Sequence, residues 1–291
     1  MTEPNSSALM ISLLFFSIVG GSLYFWMKPA SRNPLRFGCN DQRLNSWPIS
    51  WTDFGIFIFI IFLSILAAQS FVSPLLPENA DLEPDLLDPK IAFLSILSLH
   101  LPVLLAFSLF RKYYTSAPPL KVSTVPSKVS DDLKQAFTTF IQILPVIWIS
   151  ALLWNLILSI LQSLSLIDEF PIQPIVELLA QDISITQFLL LGLLAIVLAP
   201  ITEEILFRGC LYRFLKGKFP LLLAQLSTAF LFALVHNNLN SFLPLVLIGF
   251  VLVRIYESSG SIRQAMFFHA FFNASSFLFL CLMKYSGLLL E

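Results

Sequence analysis

The sequence predicts an all-α fold, a polytopic bundle of about eight transmembrane helices around a polar intramembrane cavity. Three observations carry that prediction. The 291 residues are 57 % hydrophobic and only 12 % charged, with a mean hydropathy of +0.82, far from an ordinary soluble domain. Apolar runs close to the roughly 20 residues that cross a bilayer recur along the chain. Basic residues gather in alternate connections, the bias that marks cytoplasmic loops. Helices are the element lipid admits, because each satisfies its own backbone polar groups.

The first span is expected at 8–27. MTEPNSSALM before it has no positive charge, whereas Lys28, Arg32, Arg36 and Arg43 follow it. A cleavable signal has the reverse order, so a retained helix is expected. Further spans are expected at 53–73, 91–110, 137–161, 186–202, 221–236, 241–256 and 265–283. Residues 74–90 hold four prolines and read as an extended outer loop. Residues 111–134 read as a polar cytoplasmic linker, with Ser130-Asp131-Asp132 as the N-cap of the next helix. That linker separates an N-terminal part, 1–130, from a part at 131–291 holding every suspicious polar group. Residues 168–185, with Pro171 and Pro174, suggest a short interfacial helix. Arg208, Arg213, Lys216, Lys218, Arg254 and Arg263 are counted to cytoplasmic ends. The net charge of −1 gives no reason to expect nucleic acid. Cys39, Cys210 and Cys281 are isolated, neither a disulfide framework nor a zinc cage, and read as small core residues.

The informative residues begin with Glu203, Glu204 and Arg208, directly after the apolar run QFLLLGLLAIVLAPI. Ionisable groups beside hydrocarbon persist where they pair or do chemistry. Four apart on a helix, Glu204 and Arg208 share a face and can pair. Glu203 is rotated by about 100°, so the two carboxylates cannot serve one atom, and Glu203 is left to face a cavity as a general base. Pro200 can begin or kink this helix. Phe232 and His236 are one turn apart, as are His269 and Asn273. An imidazole can donate or ligate metal, and an amide can hold an oxyanion. Each pair taken singly also has a plain structural reading, as a cap, an interfacial group or an interhelical hydrogen bond. His100, just before Pro102 on the third span, is read as structural. Together a carboxylate, two imidazoles and an amide form a kit for water-driven amide hydrolysis.

The runs APITEEILFRGCLYRFL, FALVH and GFVLVRIYESSGSIRQAMFFHAFFN resemble the CAAX prenyl protease type II family. Its bacterial members are also called CPBP or bacteriocin-processing (Abi) proteins. The family's motifs, E-E-x-x-x-R, F-x-x-x-H and H-x-x-x-N, stand here in order. The resemblance covers roughly residues 135–285 and is strongest from 199 to 275. It implies an intramembrane endopeptidase that cuts near the C-terminus or the membrane-proximal part of a membrane-associated substrate. Eukaryotic members remove the last three residues from isoprenylated C-termini, so a peptide or a prenylated protein C-terminus is the implied partner, alongside the lipid bilayer.

By resemblance, Glu203 and His236 activate a water, His269 and Asn273 steady the oxyanion, and Glu204 and Arg208 hold the geometry. The cofactor is none or zinc. Glu203, His236 and His269 can be drawn as Zn²⁺ ligands, matching a catalytic zinc set, or as a metal-free glutamate site. Asn273 suits an oxyanion hole better than a zinc. A bacterial cell membrane is implied over endoplasmic reticulum by family frequency.

Two other classes were weighed. A non-catalytic membrane peptide-binding or bacteriocin-immunity protein would not need all four polar candidates. A proton-coupled transporter fits poorly with polar groups crowded into three short motifs and no internal repeat. One conflict stands in the span map. Arg263, near the cytoplasm, lies six residues before His269, while His236 lies sixteen beyond Pro220, about 24 Å at helical rise. Those depths meet only if a helix tilts, breaks or re-enters.

Overall fold

Local chemistry sets the helix ends. Ser50 accepts a hydrogen bond from the Asp53 backbone and starts one helix. Ser184 and Gln187 form a reciprocal capping box that starts another. Gly260, at φ 69°, ends a third in the left-handed region. The computed structural model describes residues 6–27, 44–75, 89–113, 127–167 and 184–285. Among them are eight helices and no strand: α1 (Ser6–Met27), α2 (Trp51–Val72), α3 (Pro89–Tyr113), α4 (Val129–Ser163), α5 (Ile185–Lys216), α6 (Leu221–Val235), α7 (Phe242–Ser259) and α8 (Ile262–Tyr285). Six spans are long and apolar enough to cross a bilayer; α6 and the stretch Phe15–Met27 of α1 are shorter. Outward positions carry large apolar side chains such as Phe59, Phe62 and Leu152. That surface suits lipid, and the protein is a multi-pass membrane protein.

The helices fall close to the expected spans, with two extensions. The fourth begins at Val129, inside the expected linker. Its N-cap is Lys128, without a side-chain cap, and Asp132 instead accepts from the Ser127 hydroxyl at 2.8 Å. The fifth does not stop at 202 but runs on to Lys216. Pro200 therefore neither begins nor ends it. Three arginines counted to cytoplasmic ends, Arg208, Arg213 and Arg254, are buried within helices, because the extended α5 and the neighbouring α7 supply partners there. Cys210 is fully buried and Cys281 half-buried. The first basic cluster, Cys39, the interfacial segment and most of the proline-rich loop lie outside the described residues.

The packing order positions the site. α1 lies on α4, α2 pairs with α3, and α3 runs against α5. α6 and α7 form a hairpin, and α8 packs on α4, α7 and α5. A strap at 44–50 ties the α2–α3 pair to the end of α5. Trp47 donates its backbone N–H to Arg213 O at 2.9 Å, while Arg213 and Lys216 donate to Asn45 O and Leu44 O at 2.6 and 2.8 Å. Trp47 itself sits edge-on to Phe57 and Phe110.

The α7–α8 connection, on which the depth conflict turns, is buried at its centre, although the Arg263 side chain is 42 % exposed. Ser261 is 1 % exposed and Ile262 3 %. The early start of α4 covers the turn: Asp132 Oδ2 accepts from Ser261 Oγ at 3.0 Å and from Arg263 Nε at 3.1 Å. Arg263 also donates to Ser127 O at 2.6 Å. The two histidines do meet, each with Nε2 3.7 Å from Glu203 Oε2.

Candidate active site

Glu203 and Glu204 stand at a change of helical pitch. Residues Leu194–Leu198 and Glu204–Tyr212 are π-helical, and only Ala199–Glu203 between them is regular α-helix. π-Turns are rare and occur often at functional sites. Pro200 explains the first in part. Ala199 gives its N–H to Leu194 O, and Pro200 has none to give. Ala195 O thus lacks both nearby helical donors, and Asn273 Nδ2 supplies one from α8 at 2.8 Å. A neighbouring helix re-satisfies the freed carbonyl, as apolar surroundings demand.

The five motif residues around Glu203 come together. Glu204 Oε1 accepts from Arg208 at 2.9 Å, both side chains fully buried. Arg208 also donates to Gly249 O on α7 at 3.1 Å and lies over the Phe232 ring at 4.3 Å. Glu204 Oε1 takes a second bond, from His269 Nδ1 at 2.9 Å. On the other side of that ring, His269 Nε2 lies 3.7 Å from Glu203 Oε2. The rotation between the two carboxylates therefore sends them to opposite nitrogens of one imidazole. His236 Nε2 also lies 3.7 Å from Glu203 Oε2, and His236 Nδ1 donates to Phe232 O at 2.6 Å.

Those bonds fix the tautomers. A carbonyl only accepts, so His236 carries its proton on Nδ1 and turns a bare Nε2 to Glu203. The Arg208-paired carboxylate of Glu204 likewise draws the Nδ1 proton of His269. Glu203 Oε2 is buried without a hydrogen-bond partner, faced by two nitrogens too distant for direct bonds. A water can sit about 2.8 Å from two such atoms at once. The oxygen borders a cavity of about 290 Å³ whose walls include Leu191, Leu194, Ile248 and Phe272, with His236, His269 and Asn273 on its lining. Orphaned acceptors, an apolar chamber and a locked imidazole pair are what a water-activating site requires.

Among the described residues, no three His, Cys, Asp or Glu side chains close around a point tightly enough to hold a metal ion. The donor chemistry nonetheless fits one. Two Nε2 lone pairs and a carboxylate converge, and each imidazole is oriented through its other nitrogen, the usual support for metal ligands.

Three contributors escaped sequence reading. Gly249 lets α6 and α7 touch: a Cβ there would meet Ala229 Cα at 3.0 Å, and a lone glycine among bulky helix residues was the available signal. Thr202, 2 % exposed, bonds His100 at 2.7 Å. Ile96 of α3 closes one wall of the cavity, although it lies far upstream of every motif.

Fold and site together define an all-helical membrane protein with a buried carboxylate–imidazole centre. Residues 185–275 match a family profile described as type II CAAX prenyl endopeptidase Rce1-like. That match supports a protease acting on membrane-associated peptide. No curated protein and no solved structure matches the chain.

Proposed function

We propose that the protein is an intramembrane endopeptidase of CAAX type, hydrolysing a peptide bond near the C-terminus or membrane-proximal part of its substrate. One observation carries the reading: Glu203 Oε2 is unbonded at a cavity wall and faced at 3.7 Å by two imidazole nitrogens.

In this mechanism a water between Glu203 and His236 gives its proton to the carboxylate while its oxygen attacks the scissile carbonyl carbon. The carbonyl becomes an oxyanion. His269, held through Nδ1 by Glu204, and Asn273, with the amide hydrogen not spent on Ala195 O, steady that charge. The proton held on Glu203 then passes to the leaving nitrogen. The C–N bond breaks, releasing an amine and a carboxylic acid, whose remaining proton passes to the amine or to solvent. Glu204 and Arg208 only orient. Glu203, His236 and His269 are also the residues that would hold a zinc ion, which would supply Lewis-acid polarisation of water and carbonyl.

The test is cleavage of an internally quenched peptide carrying an S-farnesyl cysteine three residues from its C-terminus, beside its unprenylated twin. Reconstituted protein is expected to cut it and Glu203→Gln to be inactive yet folded. Retained activity in that variant refutes Glu203 as the base, and no cleavage by the unaltered protein defeats the reading. Metal content and chelator sensitivity of the same sample decide between the zinc and glutamate mechanisms.

A further inference from the structure

Three polar groups outside the expected motifs were followed through the molecule: the strap at Arg213 and Lys216, the Asp132–Arg263 cover, and His100. The first two close on themselves. The third reaches the base. His100 stands on α3, far upstream of the matched segment, and Nδ1 lies 2.7 Å from Thr202 Oγ1. Thr202 donates to Leu198 O and Ala199 O, each at 2.9 Å. With the one hydroxyl hydrogen turned to those carbonyls, the oxygen is left to accept from His100 Nδ1–H. The next residue is Glu203.

We propose that His100 is a positioning residue for the catalytic base, holding the short α-turn that carries Glu203. This rests on the endopeptidase reading. The turn Ala199–Glu203 is five residues long and lies between two π-segments, whose hydrogen-bond register is poorer than that of an α-helix. A short turn in that setting has two internally stable neighbours of neither kind. It is pinned instead from outside, by Asn273 at Ala195 O and by His100 at Thr202. The first pin is on the π-segment just before the turn and the second on the turn itself, from two different helices, α8 and α3. Hydrogen bonds in series polarise one another, so the His100–Thr202–carbonyl chain is stiffer than its separate links. α3, which brings His100, also brings Ile96 to the cavity wall. The N-terminal helices thus complete a site whose chemical groups all come from the later ones.

The test uses the full chain in lipid nanodiscs, with the farnesylated quenched peptide and hydrogen exchange of residues 194–204 read together. Asparagine presents an N–H near the position of the histidine Nδ1, whereas leucine presents none. His100→Leu is expected to lower kcat by about tenfold or more, since small misplacements of a catalytic group are costly, with KM within about twofold. It should also speed exchange at 194–204, and His100→Asn should restore both. Normal kcat and normal exchange in His100→Leu, beside an inactive Glu203→Gln, overturn the positioning role and spare the endopeptidase reading. Equal losses in the Leu and Asn variants also overturn it. An active Glu203→Gln would instead remove Glu203 as the base, whatever His100 does. Should the peptide prove no substrate, unchanged exchange in His100→Leu overturns the positioning role, and faster exchange restored by Asn upholds it.

Discussion

Glu203 and Glu257 are both carboxylates inside the helical body, and they differ in what meets their oxygens. Glu257 is fully buried, with Lys216 donating to Oε1 and Tyr212 to Oε2, each at 2.7 Å. Glu203 leaves Oε2 unbonded beside a cavity. Burying a charge is tolerated when each oxygen finds a donor. Glu257 obeys that rule and Glu203 breaks it. On the endopeptidase reading, the unpaired oxygen that borders the cavity is the reacting one, and the fully paired carboxylate is architectural. Glu204 lies between them: Oε1 holds two bonds while Oε2 is buried with none, as befits a group that orients a reacting neighbour.

The sharpest way to break the comparison is to neutralise each carboxylate in turn. Glu203→Gln should cut turnover by about a thousandfold or more, the scale of losing a general base, while thermal unfolding in detergent stays within a degree or two. Glu257→Gln should do the opposite. Removing one partner of a buried pair costs about 3 kcal/mol, so the folded fraction and melting temperature fall, and the specific activity of what folds is kept. If both variants lose activity alone, the distinction between the two carboxylates fails.

How far the sequence foretold this contrast depends on separation along the chain. Glu204 with Arg208, and His269 with Asn273, are one helical turn apart, so their shared faces could be read directly. The spans were legible because lipid enforces long apolar runs. The Lys216–Glu257 pair was not, since it joins residues in different helices, and Arg254 looked like a loop charge until α7 was seen to bury it. His100 was read as structural because its partner Thr202 is a hundred residues away with no periodic signal linking them. The π-segments were equally hidden. Pro200 announced a disturbed helix, but whether the chain kinks, stops or widens depends on a donor from α8.

A milder perturbation tests whether the site depends on helix approach and not only on its charged groups. In Gly249→Ala, the new Cβ would lie 3.0 Å from Ala229 Cα, 3.1 Å from its carbonyl oxygen and 3.2 Å from Phe232 Cδ1. Two of those atoms are backbone and cannot swing aside. Overpacking of this kind costs about 1–3 kcal/mol. It would also push Gly249 O away from Arg208 and tilt Phe232, whose ring touches both imidazoles. Melting temperature and kcat should therefore fall together, unlike either carboxylate variant. A stable Gly249→Ala protein with normal kcat would show that α6–α7 closeness does not set the imidazoles.

The smallest effect is expected where α6 ends. His236 is the C-cap of that helix, and Asn237 after it has φ 46°, in the left-handed region that asparagine and glycine tolerate. Asn237→Gly should leave stability and turnover nearly unchanged. Asn237→Val forces a β-branched residue into that conformation at a cost of about 1–2 kcal/mol. The helix can relieve it by unwinding its last turn, which would draw His236 Nδ1 off Phe232 O and release the tautomer that points Nε2 at Glu203. A modest fall in melting temperature with a larger fall in kcat is the expected result, read by differential scanning fluorimetry and the quenched-peptide assay. Equal behaviour of the Gly and Val variants would mean that the Phe232 carbonyl holds His236 without help from the helix terminus.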